Sequence, residues 1–230
     1  MSIQGGHTFV FDIETIAVCL DDLPDSVQEY LLRFSDGTAQ ETDAVQHQMA
    51  LWAPTNTIIA IGVYCVETKT GAVYFQAGGQ SVDFEKEGIR YVSGDEAFVL
   101  TRFWQVMTHA GRFVTFNGRG FDCPVLLLRS AMLGVAPTMN IMPYRYNSLL
   151  HVDLLEQFTF YNTTRKFSLD LYCRSFGIPS PKIAMNGHDL PMYFREGKYV
   201  DIATYCMGDV LATVRLFEYW QKYLSFRTLS

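Results

Sequence analysis

Charge is scarce in this chain. Only 18% of its 230 residues are Asp, Glu, Lys or Arg, below the usual quarter. The 18 Lys and Arg are outnumbered by 24 Asp and Glu, which leaves a net charge of −6. A strongly basic nucleic-acid-binding surface over the whole molecule is thereby excluded, although a local basic groove is not. Paired cysteines are also missing. Cys19, Cys65, Cys123, Cys173 and Cys206 are odd in number and form no C-x-x-C, which speaks against a zinc ribbon or a disulfide framework; a reducing cytoplasm is the expected compartment. No apolar run reaches the roughly 18 residues that a bilayer span needs, and the longest, residues 57–66, stops at Glu67. The first residues, MSIQGGHTFVFDIET, lack a basic segment and are interrupted by Asp12, so no signal peptide is expected. Repeats, low-complexity tracts and interdomain linkers are absent as well, and one domain over residues 1–230 is expected.

What the chain has is apolar mass. Hydrophobic residues make up 49% and aromatic residues 14%, enough for one well-buried core and incompatible with disorder. Residues 7–13 read as a first strand. Residues 16–56 are irregular, with one helix near 26–34 inside a long connection. The β-branched run at 57–66 reads as a central strand with a hairpin partner at 72–76. Ser93-Gly-Asp-Glu96 has the form of a capping box and opens a helix carrying Phe98, Phe103 and Val106, with its end near Gly111. A strand at 112–116 is broken by Asn117-Gly118, and a helix follows to Gly134. Residues 151–154 read as a short strand. Ser168 caps a short helix that stops at Gly177, and residues 199–224 form a long amphipathic helix. Strands and helices alternate around an early hairpin, so the expected class is α/β, a mixed β-sheet flanked by helices.

Three groups of acids stand out. In Phe11-Asp12-Ile13-Glu14 the two carboxylates share one face of a strand; they are either a solvated strand end or a cation site, because adjacent carboxylates repel in an apolar setting. Chance supplies such a pair at this composition, and Asp83-Phe-Glu85, in a polar stretch, is discounted on that ground. In Asn117-Gly-Arg-Gly-Phe121-Asp122 the acid lies where a strand ends and a helix begins, a usual place for ligands in open α/β sheets and equally the place for an N-cap or a plain turn. Tyr205 and Asp209, at i and i+4, stack on one helix face that Ile202 and Leu216 turn inward. Tyr91 and Asp95 repeat the spacing on a capping segment, where it carries nothing.

The order of these groups resembles the DEDD superfamily of 3′–5′ exonucleases, with the ribonuclease H-like fold. More closely it resembles the predicted 3′–5′ exonucleases related to the proofreading domain of B-family DNA polymerases. The likeness covers residues 9–217 and includes His151-Val-Asp-Leu154, Ser168-Leu-Asp-Leu171 and Gly177-Ile-Pro-Ser-Pro-Lys182; residues 16–56 are least similar. Tyr205, four before Asp209, with Thr204 where the other branch has histidine, points to the DEDDy branch.

The resemblance implies Asp12, Glu14, Asp122, Tyr205 and Asp209 as the catalytic set, with the four acids holding two divalent cations. Hard oxygen ligands suit Mg2+ or Mn2+, and such a pair clamps the attacking and leaving oxygens of a phosphodiester. Tyr205 would orient the water, and nucleoside 5′-monophosphates would leave one at a time from a nucleic-acid 3′ end, DNA before RNA, in repair or end trimming. Asn117, Arg119, Phe121, Arg165 and Lys166 are the candidate substrate contacts, Lys182 a weaker one, and Phe158, Phe160 and Tyr161 could meet a base. For each basic residue a solvated surface role is the alternative. His151 and Asp153 are read as structural or in support of the site, and Met and Cys as core filler. Rival readings are an exoribonuclease, a silent nucleic-acid-binding module and a structural cation site. The low charged fraction is compatible with a homodimer.

Overall fold

The computed structural model describes residues 6–179 and 187–225. Seven strands form one mixed sheet: β1 (His7–Ala17), β2 (Asn56–Cys65), β3 (Thr70–Phe75), β4 (Asp83–Lys86), β5 (Ile89–Ser93), β6 (Ala110–Thr115) and β7 (His151–Asp153), in the order β4-β5-β3-β2-β1-β6-β7. Strand β1 lies between an antiparallel β2 and a parallel β6. The expected strands are present, and β1 runs four residues beyond the expected Ile13.

Alternation along β1 sets up two cores. Phe9, Phe11 and Ile13 point to one side, where they meet Val99, Leu100, Phe103 and Trp104 of α3 (Glu96–Met107) and Leu126 of α4 (Asp122–Met132). Val10 points to the other, against α8 (Tyr199–Tyr223). Asp12 and Glu14 share the parity of Val10 and so face α8. Gly62 of β2 pairs with Asp12. A Cβ there would come within 2.9 Å of Val210 Cγ2 and 3.2 Å of Cys206 Sγ, so the bare glycine lets α8 lie close over the acidic strand.

The structure departs from the expected elements at several points. Residues 16–56 hold two helices, α1 (Asp25–Leu32) and α2 (Ala39–Met49). Thr38 starts the second, its side chain accepting from Glu41 N–H at 3.3 Å, a signal hidden in the polar run Ser-Asp-Gly-Thr. Asp83 and Glu85 lie on edge strand β4, which reaches β5 through Glu87 and Gly88, both at positive φ (54° and 76°); Glu87 is an uncommon residue for that turn. Asp83 there pairs with Arg90 at 2.9 Å. The cap of α3 is Asp95, not Ser93, whose hydroxyl serves Val82 N–H and Gln80 C=O. Gly111 is not a helix stop: it sits in β6, where a Cβ would come within 2.9 Å of Gly6. Two further short helices were not anticipated, α5 (Leu154–Phe158) and α7 (Leu190–Arg195), which carry no strong periodicity; the expected helix capped by Ser168 is α6 (Leu169–Ser175). Among the described residues no helix is long and apolar enough to cross a membrane. Lys182 lies outside the described residues.

Candidate active site

The expected catalytic residues meet at the face of β1 covered by α8. Glu14, Tyr205 and Asp209 are each 8% exposed and Asp122 3%; Asp12 is half-buried. Asp122 is not the N-cap of α4 but its first residue, after Phe121. Its Oδ1 accepts from the Ile13 N–H at 3.2 Å, which ties it to the peptide between Asp12 and Glu14. Cys206, next to Tyr205, docks the helix from above: its Sγ donates to the Asp12 carbonyl at 3.6 Å. That sulfur and carboxylate oxygens of Asp12 and Glu14 lie within 4.8 Å of one another. Cys206 is therefore more than core filler. Ile202, Tyr205, Cys206 and Asp209 fall at i, i+3, i+4 and i+7, so its place beside the acids is written in the helical period.

The electrostatics of separate groups converge on the same acids. Burial pushes the Asp122 carboxyl up to about 7, and the charges of Asp153 and Asp209 push in the same direction. The Tyr205 phenol is raised by burial, then by Asp209 and Glu14, with a hydrogen bond to Asp209 and the charge of Asp12 adding to the effect; it remains protonated, a donor. The Cys206 thiol is raised by burial, then by Glu14, Asp12 and Asp209. Buried negative charge of this density is costly unless a cation neutralises it. Four carboxylates are a hard oxygen donor set, and the Cys206 proton is engaged by a carbonyl, so the residues present fit a divalent cation of the magnesium and manganese kind.

Asp153 supports the site from behind. Its carboxylate caps α5 through Leu155 and Glu156 N–H (3.1 and 3.4 Å). It also accepts from the N–H groups of Asn117 and Arg119 at 3.0 and 2.9 Å. It thus holds the loop 117–121 that delivers Asp122. Asn117 is at φ 64°, and a Cβ on Gly118 would overlap Thr115 Oγ1 at 2.3 Å, so the loop needs a left-handed residue and then a bare one. His151 is buried, shares a 2.8 Å hydrogen bond with Thr115 Oγ1 and stacks on Phe113.

The candidate substrate contacts separate. Arg119 turns inward: its side chain is 9% exposed, its Nε lies 3.4 Å from Glu156 Oε2 and its Nη1 donates to Pro143 C=O at 2.9 Å. These bonds brace the loop and occupy much of the guanidinium. Phe121 lines a cavity of about 480 Å3 together with Glu14, His47, Leu51 and His188. His47 and Leu51 were missed because they come from the segment around α2, where no site was expected, and His188 stands in a short turn with no motif around it. Asn117 and Lys166 line a second cavity, of about 360 Å3, with Arg119, Arg145 and Glu156. Arg165 stands over Phe167 at 5.3 Å. Phe158 is buried, whereas Phe160 is exposed. Tyr161 joins Tyr146 and Tyr144 in a row of rings with centroids 4.8 and 5.6 Å apart, and the two from the 139–150 loop are 58% and 74% exposed.

A family model described as predicted 3′–5′ exonuclease related to the exonuclease domain of PolB matches residues 55–227. The chain belongs to this family. The exonuclease family's enzymes are hydrolases of phosphodiester bonds, and the matched segment contains Asp122, Tyr205 and Asp209; Asp12 and Glu14 precede it and reach the site through β1. A structure of the family B DNA polymerase from the hyperthermophilic archaeon Pyrobaculum calidifontis superposes with a TM-score of 0.61 at 18% identity, over 94% of this chain. That likeness is one of fold, and it confirms the α/β ribonuclease H-like class. The chain spans 24% of that polymerase. No curated protein matches it.

Proposed function

We propose that this exonuclease is metal-dependent and removes nucleoside 5′-monophosphates from the 3′ end of single-stranded DNA. The observation that carries the reading is the convergence of Asp12, Glu14, Asp122, Asp209 and Tyr205 into one buried acidic field, in which Asp209 acts on both Asp122 and Tyr205. The four acids Asp12, Glu14, Asp122 and Asp209 would hold two divalent cations, Mg2+ or Mn2+. Bound there, such ions supply Lewis acidity and charge for phosphodiester hydrolysis.

The remaining work belongs to this chain's own side chains. Tyr205, kept protonated, donates its hydroxyl hydrogen and orients the attacking water and the scissile phosphate. Asp122, anchored on the Ile13 N–H, keeps its distance from the β1 acids fixed. Phe121, Leu51 and His47 offer the 480 Å3 cavity beside Glu14 to the terminal nucleotide. Asn117, Arg165 and Lys166, joined by Arg145, would meet the backbone, and Tyr144, Tyr146 and Tyr161 present sequence-tolerant stacking faces to unpaired bases.

The test is digestion of 5′-labelled single-stranded DNA, duplex DNA and RNA with Mg2+, Mn2+ or EDTA. Single-stranded DNA should shorten one nucleotide at a time from the 3′ end with either metal and stay intact with EDTA or in Asp209→Asn. Shortening of RNA alone would overturn the DNA preference. No shortening of any substrate with Mn2+ would overturn the exonuclease reading.

A further inference from the structure

We propose that His7, Cys65 and Glu67 form a separate metal site that takes a borderline-soft divalent ion, zinc first. The three are up to 60 positions apart in sequence and meet through strand register. Phe9 pairs with Cys65 in the β1–β2 ladder, and the pairing continues past it: Val66 N–H donates to Thr8 C=O at 3.0 Å, and Thr8 N–H donates to Glu67 Oε2 at 2.9 Å. That carries His7 opposite Glu67. Cys65 and Glu67, two apart, share a face, and His7 sits on the same side as Phe9, with ring centroids 6.3 Å apart.

The donor atoms are already gathered. His7 Nδ1 lies 3.8 Å from Glu67 Oε2, Cys65 Sγ lies 3.6 Å from the same oxygen, and all three donors fall within 4.8 Å of one another. Tetrahedral zinc, with bonds of about 2.0–2.3 Å, sets its ligands roughly 3.3–3.8 Å apart. Small side-chain adjustments would therefore close the site. One nitrogen, one sulfur and one oxygen are a zinc or cobalt set and a poor magnesium set. Cys65 is buried, while the His7 and Glu67 side chains are 50% and 46% exposed, which leaves a route from solvent and a fourth position for water. The Cys65 S–H now donates to Glu67; the ion would take that proton's place, and one proton would be released per ion bound.

This site is distinct from the catalytic one. His7 is five residues before Asp12, about 17 Å along a strand, and on the opposite face of the sheet. Its effect would be structural, fastening the start of β1 to the end of β2.

Cobalt titration of the metal-stripped full chain tests it, read by thiolate-to-cobalt charge transfer in the near ultraviolet. Asp12→Asn/Cys206→Ala serves as the background, because it disables the other site that holds a sulfur among acids. In that background one equivalent of Co2+ should develop the band, and Zn2+ should displace it. Adding Cys65→Ser should abolish the band. Adding His7→Ala, at a half-exposed position that does not threaten folding, should weaken binding at least tenfold. Absence of the band in the background, or its survival in Cys65→Ser or undiminished affinity in His7→Ala, would overturn the proposal. None of these readouts requires nuclease activity.

Discussion

Tyr205 and Asp209 are the residues on which the chemistry of the proposed site turns. They sit one helical turn apart with their side chains against β1, and the phenol stays protonated because burial, and then the carboxylates of Asp209, Glu14 and Asp12, raise it. Tyr205→Phe removes one donor and no charge. It should lower kcat by about 100- to 1,000-fold while Mn2+ affinity, read by calorimetry, changes little; equal loss of both would contradict its role as a positioning donor. His151 supplies a prediction of another kind. Burial, and then the charge of Arg119, push its imidazole down to about 3, against an ordinary value near 6.5. Between those values the unfolded chain binds a proton that the folded chain refuses, so this contribution is complete above pH 6.5 and declines as pH falls. His151→Gln keeps a partner for Thr115 and cannot titrate. The stability advantage of the wild type over the variant, from urea unfolding, should shrink by about 3 kcal/mol between pH 7 and pH 4; a difference independent of pH would contradict the account. Which residues were legible follows from period. Asp12 and Glu14 are readable from strand alternation, and Tyr205 and Asp209 from the helical turn. Cys206 obeys the same turn and was discounted only because its type suggests filler. Arg119 reads as a phosphate contact, but its partner Glu156 lies 37 positions away and sequence spacing carries no sign of it.

At the scale of elements, the decisive contact is α8 on the β1–β2 pair. Gly62 makes it close. Gly62→Ala would force Val210 or the helix outward, moving Tyr205 and Asp209 away from Asp12 and Glu14. The variant should remain folded by circular dichroism, lose about 1–3 kcal/mol of stability and lose more activity than that destabilisation alone explains; wild-type activity would show that the spacing of helix and strand is not critical. Strong periods in β1, β2, α3 and α8 made these elements visible in the sequence. The β4–β5 hairpin was not visible, because its turn uses Glu87 in a left-handed conformation and its outer strand is polar, as edge strands often are. Helix α2 begins with Thr38-Ala-Gln-Glu41 inside a run that otherwise reads as loop. Once formed, it is fastened by Gln46, whose side chain bonds both Leu20 N–H and Val18 C=O at 2.8 Å. Thr15 Oγ1 adds a bond to Ala50 C=O at 2.7 Å. A wall of the cavity beside Glu14 is thereby built from the segment least expected to carry one.

For the whole molecule, a net charge of −6 means that affinity for a polyanion cannot come from a general basic surface. Arg145, Arg165 and Lys166 are exposed, and Tyr144, Tyr146 and Tyr161 form a row of rings; in the proposed reading attraction is local and part of it is stacking. Tyr146→Ala should raise KM for single-stranded DNA severalfold, consistent with a loss of about 1–3 kcal/mol per stacked base at most, and leave kcat nearly unchanged; an unchanged KM would remove this strip from the substrate path. Topology at this scale was legible in class and not in strand order: the crossover that puts β1 between β2 and β6 depends on contacts over long sequence separations. It is that crossover which brings Asp122 to the β1 acids and carries α8 over both. The most direct measurement is the rate of mononucleotide release from a single-stranded DNA 3′ end as Mn2+ is titrated into wild type and Asp12→Asn. The account predicts a saturable, metal-dependent rate in the wild type and a rate near the metal-free background in the variant. Equal rates in the two proteins, or a wild-type rate indifferent to Mn2+, would contradict it.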